Sequence, residues 1–332
     1  MPTLQAMLDK RPWLLADGAT GTNLFHMGLM SGDSPEIWNE EHPERIQKLY
    51  QRFVDAGADI ILTNTFGGNR RRLALHQADG RCHDINKKAA ALAREVADAC
   101  GRPVVVAGSV GPTGELFAPL GPLTDEEAIE VFVEQIEGLK AGGADVIWIE
   151  TMSAIEEMRA AGLAAAKLGM PYTVTASFDT AARTMMGITP QAFADAMAEL
   201  DPKPVAIGAN CGAGASDTLG SILAMTGARS DMVVISKANA GIPKYVDGHI
   251  HYSGTPELMA AYAALAIDAG ARIIGGCCGT SPEHLAGMRR ALDAHVAGPR
   301  PDHAAIVART GPFLHRPAPT GGGAMEGRKR RG

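Results

Sequence analysis

Three cysteines open the chemistry of this chain: Cys211 in Gly208-Ala-Asn-Cys211, and the adjacent pair in Gly275-Gly-Cys277-Cys278-Gly279-Thr280. Adjacent cysteines rarely bond each other, and in an extended segment their side chains diverge. A loop just past a strand can turn both toward one point, and flanking glycines allow that turn. Three thiolates suit Zn²⁺ and leave a fourth position open, as catalytic rather than closed structural sites do. The other reading is three small packing residues, since free cysteine behaves as a buried hydrophobe. Cys82 and Cys100 fall in or beside a helical stretch and read as packing. Asp17 and Glu150 are carboxylates at the ends of apolar runs. As a pair over one opening they would favour an ammonium group or work as an acid and base; singly, each could be a cap or an ion-pair partner.

These residues need elements that bring them together. Eight short apolar runs recur, at Trp13–Ala16, Asp59–Thr63, Val104–Ala107, Val146–Glu150, Thr173–Ala176, Val205–Ala209, Met232–Ser236 and Arg272–Ile274. They are continuously apolar rather than alternating, the signature of parallel strands buried on both faces. Helical patterns lie between them: Pro43–Ala56, Asp84–Cys100, Thr124–Ala141, Ser153–Leu168, Thr255–Ala269 and Ser281–Ala294. Thr124 with Glu127, and Ser153 with Glu156, have capping-box spacing. Thr255-Pro256 and Ser281-Pro282 are helix starts. Eight βα units predict an α/β fold of the (β/α)₈ TIM-barrel type, whose chemistry sits at the C-terminal ends of the strands. A doubly wound open sheet would use fewer units and a switch-point nucleotide site. Three cysteines and both carboxylates then share one mouth.

The remaining features narrow the function class. The chain has 332 residues, a formal net charge of −6 and 20% charged residues. Mild acidity argues against a nucleic-acid binder, and no apolar run reaches membrane-spanning length. The N-terminus MPTLQAMLDKRPW lacks the apolar stretch of a signal peptide. Five cysteines, an odd number, fit reduced thiols in a cytoplasmic protein rather than a disulfide framework. Gly108-x-x-Gly111-x-x-Gly114 lacks the Lys-Ser/Thr of a phosphate loop, and Arg70–Arg72 reads as the exposed start of a helix. Residues 1–300 are expected to form the barrel, and 301–332, with Gly321–Gly323 and the basic run 328–331, a disordered tail. A homo-oligomer is compatible with all of this.

The segments Asp17-Gly-Ala-Thr-Gly-Thr22, Thr63-Asn-Thr-Phe66, Gly108-Ser-Val-Gly-Pro112, Ile149-Glu-Thr151, Gly208-Ala-Asn-Cys211, Asn239-Ala-Gly-Ile-Pro243 and Gly275-Gly-Cys-Cys-Gly-Thr280 resemble the homocysteine S-methyltransferase family from about residue 10 to 297. That resemblance implies a TIM barrel with zinc at its C-terminal mouth, held by Cys211, Cys277 and Cys278. It implies that Asp17 and Glu150 bind the amino group of homocysteine. The substrate thiol at the open zinc position is then the nucleophile, and no catalytic side chain is expected. Gly18, Thr65 and Asn239 stand in the same motifs and complete the expected substrate-binding set. Details of the motifs are most like the bacterial betaine–homocysteine type, although Gly67 and Thr151 stand where the animal betaine enzymes carry tyrosines. Glycine betaine is thus the expected donor, with S-methylmethionine, dimethylsulfoniopropionate or a methylcorrinoid protein as alternatives; the length leaves no room for internal folate and cobalamin modules. An onium donor is held well by aromatic faces, for which Phe66, Trp38 and Tyr252 are the candidates and Trp148 reads as core. A non-catalytic zinc barrel, and a phosphosugar lyase or isomerase using Lys237, are the competing classes.

Overall fold

A computed structural model describes residues 3–315 apart from 242, 247 and 248, with nothing said of the side chains of 242–250. The eight expected strands are present: β1 Leu14–Leu15, β2 Ile60–Leu62, β3 Val105–Val110, β4 Val146–Met152, β5 Tyr172–Ala176, β6 Ala206–Cys211, β7 Val234–Ala238 and, after a hairpin, β10 Ile273–Gly276. The hairpin, β8 Pro243–Val246 and β9 His249–Tyr252, was not expected; it pairs antiparallel with itself alone. The eight strands form one parallel sheet in the order β1-β10-β7-β6-β5-β4-β3-β2. Its two edges meet through the parallel bridge Ala16–Ile60, with Asp17 N–H donating to Ile60 O at 3.0 Å. The sheet is therefore closed into a TIM barrel.

The continuous apolar runs now divide by the two-residue period of a strand. Leu14, Ala16, Ile60, Leu62, Val105, Ala107, Val146 and Trp148 point inward and form the barrel interior. Leu15, Ile61, Val106, Ile147 and Ile149 point outward under the helices. Leu4, Met7 and Leu8 of an unexpected first helix, Leu4–Lys10, close the interior from the N-terminal end. That helix is fastened by Asp59, whose buried carboxylate accepts from Leu15 N–H at 3.0 Å and Arg11 Nη1 at 2.6 Å. Arg102 and Arg289 lie 3.7 and 3.5 Å from the same carboxylate.

A helix follows each barrel strand. Pro43–Asp55 buries Ile46, Leu49, Tyr50, Phe53 and Val54, the stripe its three- and four-residue steps require. Asp125–Ala141 carries the expected capping box of Thr124 and Glu127. Ser153 forms no such box, because β4 runs on to Met152; its helix starts at Ile155 behind the uncapped Ala154. Helices that the sequence did not suggest include Thr20–His26, Trp38–Glu41, Pro190–Ala198, Ala215–Ala228 and His303–Thr310. The last corrects the expectation of a tail without structure from residue 301. Ile306 is fully buried, and Thr310 meets Ser216 Oγ at 3.1 Å. The basic run of the tail lies outside the described residues. Among the described residues no helix is long and apolar enough to cross a membrane.

Close strand packing makes one substitution informative. A Cβ on Gly208 of β6 would stand 2.0 Å from the backbone carbonyl oxygen of Ile235 in β7. Backbone cannot rotate away as a side chain can, so Gly208→Ala must part the two strands. Overpacking of this kind costs about 1–3 kcal/mol or more. A denaturant melt is expected to show that loss, and a melt unchanged from the parent would refute it.

Candidate functional site

The C-terminal ends of the strands surround a cavity of about 370 Å³ lined by, among others, Gly18, Thr65, Phe66, Glu150, Cys211 and Cys277. The sulfurs of Cys211, Cys277 and Cys278 all lie within 4.8 Å of one another, and Cys211 and Cys278 are 3.9 Å apart. Sulfurs about 2.3 Å from one tetrahedral zinc would be separated by roughly 3.8 Å, so the three side chains are already spaced to hold that ion. Two turns produce the convergence. Cys211 ends β6 with φ +62° and Gly212 follows at +75°. Gly279, at φ +80°, turns the chain directly after the cysteine pair, and a Cβ there would meet Tyr252 at 2.2 Å. A left-handed cysteine is strained backbone, and such strain concentrates at functional sites. Without a cation the thiols disfavour ionisation: hydrogen bonding with Cys211 and burial push the Cys277 thiol upward. A metal ion inverts that order by supplying the missing charge.

Amides fix the sulfurs. Asn239 Nδ2 donates to Gly212 O at 2.7 Å and lies 3.5 Å from Cys211 Sγ. Asn210 is the hub that sequence reasoning missed. Its Oδ1 accepts from Thr151 N–H at 2.9 Å and Thr175 Oγ1 at 2.7 Å. Its Nδ2 donates to Thr151 Oγ1 at 2.7 Å and reaches toward Glu150 Oε2 at 3.5 Å and Cys277 Sγ at 3.8 Å. One side chain thus ties the carboxylate to the thiol cluster. Its only sequence signal was its place beside Cys211 at a strand end.

The two carboxylates are both buried, Asp17 at 1% and Glu150 at 8% exposure. Glu150 Oε1 accepts from Ser109 Oγ at 2.5 Å. Asp17 Oδ2 accepts from Leu62 N–H at 2.7 Å, and Oδ1 from the ammonium of Lys237 at 2.7 Å. Burial pushes both carboxyls above their ordinary range, and Lys237 pulls both back. Lys237 itself is only 2% exposed. Burial opposes its charge, yet Asp17 and Glu150 more than offset that and hold its pKa above the ordinary value. Its pairing with Asp17 at 2.7 Å favours the charged ammonium over the neutral amine that a lyase nucleophile needs.

Of the other expected substrate residues, Gly18, Thr65 and Phe66 line the cavity. Phe66 is 41% exposed, so its ring face is accessible. Thr65 is buried, donating to Ser109 O at 2.7 Å. Trp38 is not at the cavity. It is buried in the core against His42, and the Arg45 guanidinium covers its ring at 4.8 Å from the centroid. The face that a donor cation would need is already taken, which corrects the expectation for Trp38. Asn239 likewise works on Cys211 and its loop, outside the cavity lining. Tyr252 sits against Gly279, beside the cysteine pair. Cys82 and Cys100 are packing residues as expected: their thiols donate to backbone carbonyls, Cys82 to Gly68 O at 3.2 Å and Cys100 to Ala97 O at 3.1 Å.

Comparison with known proteins fits this geometry. A model of the homocysteine S-methyltransferase family matches residues 14–292. Methionine synthases of Mycobacterium tuberculosis and Mycobacterium leprae are 31% and 29% identical over 289 residues, which is 82% of this chain. The match spans 24% of each of those relatives, so the chain corresponds to about a quarter of their length. The metallated form of the homocysteine methyltransferase MmuM from Escherichia coli superposes with a TM-score of 0.73 at 25% identity, covering 86% of this chain and 99% of that one. With its barrel, its thiol cluster and a family match over nearly all of the folded chain, this protein belongs to the homocysteine S-methyltransferase family.

Proposed function

We propose that this chain transfers a methyl group from a small onium donor to the sulfur of homocysteine, forming methionine. One observation carries the reading: three converging thiols and the buried Glu150 carboxylate share a single cavity at the barrel mouth, with buried Asp17 behind its wall on Lys237. Cys211, Cys277 and Cys278 would hold zinc, which when bound supplies a Lewis acid able to keep a thiol ionised near neutral pH. The chain's own residues position the rest. Ser109 and Asn210 aim Glu150 at the substrate ammonium, and Leu62 N–H and Lys237 fix Asp17 beneath it. Phe66 offers an aromatic face to the onium group. As the new S–CH₃ bond forms, the bond from methyl to the onium centre breaks, and the donor leaves as a neutral amine or thioether. Such a displacement needs aligned reactants more than a proton-transfer residue.

The cavity's charge bears on the donor. Apart from deeply buried Lys237, no described lining residue is cationic, whereas Glu36 and Glu150 are both anionic. Glu36 is held in place by Gly67 N–H at 2.7 Å and Ser34 Oγ at 2.7 Å. This favours a donor of net positive charge, such as S-methylmethionine, over glycine betaine, whose carboxylate meets no cation beside Phe66 among the described residues. Incubating the protein with homocysteine and each of betaine, dimethylsulfoniopropionate, S-methylmethionine and a methylcorrinoid tests both statements. Methionine is expected from onium donors, with S-methylmethionine at least as effective as betaine. Methionine from none of them would overturn the proposal, and methionine from the corrinoid alone would overturn its donor class.

A further inference from the structure

In the transfer as described Lys237 only holds Asp17, yet it is the one cationic side chain among the described residues lining the cavity. It projects from β7, 5.6 Å over the Trp148 ring, with its ammonium 2.7 Å from Asp17 Oδ1. An ammonium carries three donors, and Asp17 is the single hydrogen-bond acceptor the structure gives it. Two donors of a buried cation thus have no hydrogen-bond partner among the described residues at a cavity wall, where an unmade charged hydrogen bond is costly. Asp17, for its part, has both oxygens engaged, one by Lys237 and one by Leu62 N–H. The Oε2 of Glu150 is the freer carboxylate oxygen, with only the 3.5 Å approach of Asn210.

From this asymmetry we infer that Lys237 recognises the α-carboxylate of the thiol substrate, while Glu150 takes its ammonium. Asp17 then acts through Lys237 as a positioning residue, holding the cation in the wall. The inference rests on homocysteine being the acceptor. It goes beyond that reading by assigning the two charged ends of an amino acid to separate residues. It also names a specificity: a thiol lacking the carboxylate should be a poor substrate.

Homocysteine and 3-mercaptopropylamine, which differ by that carboxylate, form the test. The wild type is expected to prefer homocysteine in kcat/KM by about 10- to 100-fold, the range for a hydrogen bond to a charged group. Lys237→Met should erase most of that preference through KM for homocysteine, with a much smaller change for 3-mercaptopropylamine. Because this variant strands Asp17 as an unpaired buried carboxylate, Asp17→Asn/Lys237→Met serves as a second variant that removes that stranded carboxylate and leaves Glu150 to Ser109 and Asn210. A thermal melt monitors folding of both. Equal losses on the two thiols, or a wild type indifferent to the carboxylate, would overturn the inference while leaving homocysteine as the acceptor. A wild type inert toward homocysteine with every donor would remove the underlying reading, and this inference with it.

Discussion

Cys277→Ser is expected to reduce bound zinc from about one ion per chain to near zero and to lower methyl transfer by roughly 10³-fold or more, the scale of several kcal/mol lost with a metal centre. Only three protein sulfurs converge at the mouth among the described residues, so no fourth ligand can replace one that is lost. A serine hydroxyl holds its proton far more tightly than a thiol and is a harder, shorter donor that zinc does not favour. The damage should be local. Cys277 lies just past β10, and the barrel hydrogen bond it makes, backbone N–H to Ala238 O at 2.8 Å, survives a change of side chain, so the closed sheet and its apolar layers do not depend on the thiol. The apo variant should therefore melt close to the apo parent, while the stabilisation that zinc gives the parent should vanish. Metal analysis after exhaustive dialysis, with and without added zinc, reads both effects. Cys82→Ser and Cys100→Ser are the controls, since those thiols lie outside the cluster and donate to backbone carbonyls. Undiminished zinc in Cys277→Ser would refute the three-thiol centre.

The eight barrel strands were legible because burial on both faces leaves a run such as Val104–Ala107 apolar without interruption. Their C-terminal ends were not. β3 continues to Val110, β6 to Cys211 and β7 to Ala238, beyond the Gly, Ser and Asn residues at which an apolar pattern stops. Ser109, Cys211 and Lys237 of these extensions line the cavity, so the sequence breaks pattern where the strand becomes the site. The helix Thr20–His26 was hidden for a similar reason, since Ala19-Thr-Gly-Thr-Asn reads as a turn. Cys211, Cys277, Cys278, Asp17 and Glu150 were legible as strand-end residues once a barrel was assumed. Trp38 shows the limit of that logic: its neighbours Pro35 and Glu36 line the cavity, yet its own ring is buried in the core against Arg45. Lys237 shows the converse. Its bond to Asp17 joins residues 220 positions apart, and no local pattern announces a pair made only when the barrel closes.

Glu150→Gln is expected to raise stability at neutral pH and to weaken homocysteine binding. Burial pushes the Glu150 carboxyl up, and repulsion from Asp17 adds to this; Lys237 and the Ser109 hydroxyl offset only part of it. The folded protein thus holds this proton to higher pH than the unfolded chain, where the group ionises near its ordinary value of 4.5. Between that value and the raised one the native state binds more protons than the unfolded state, so stability falls as pH rises. The loss is complete above the folded pKa and absent below the unfolded one. Glutamine keeps the shape without the charge, and Ser109 can reverse its hydroxyl to accept from the new amide. The variant should consequently melt above the parent at pH 7, with the gap closing toward pH 4. Removal of the carboxylate also takes away the freer partner for the substrate ammonium, and KM for homocysteine should rise about 10- to 100-fold. Thermal melts at the two pH values and steady-state kinetics at pH 7 measure both arms. A destabilised variant at pH 7 would mean that Ser109 and Asn210 hold Glu150 for structure. A stabilised variant with unchanged KM would mean that the carboxylate is strained but does not meet the ammonium. Only the pairing of higher stability with weaker binding fits a carboxylate kept buried and under-compensated until the substrate's positive charge arrives.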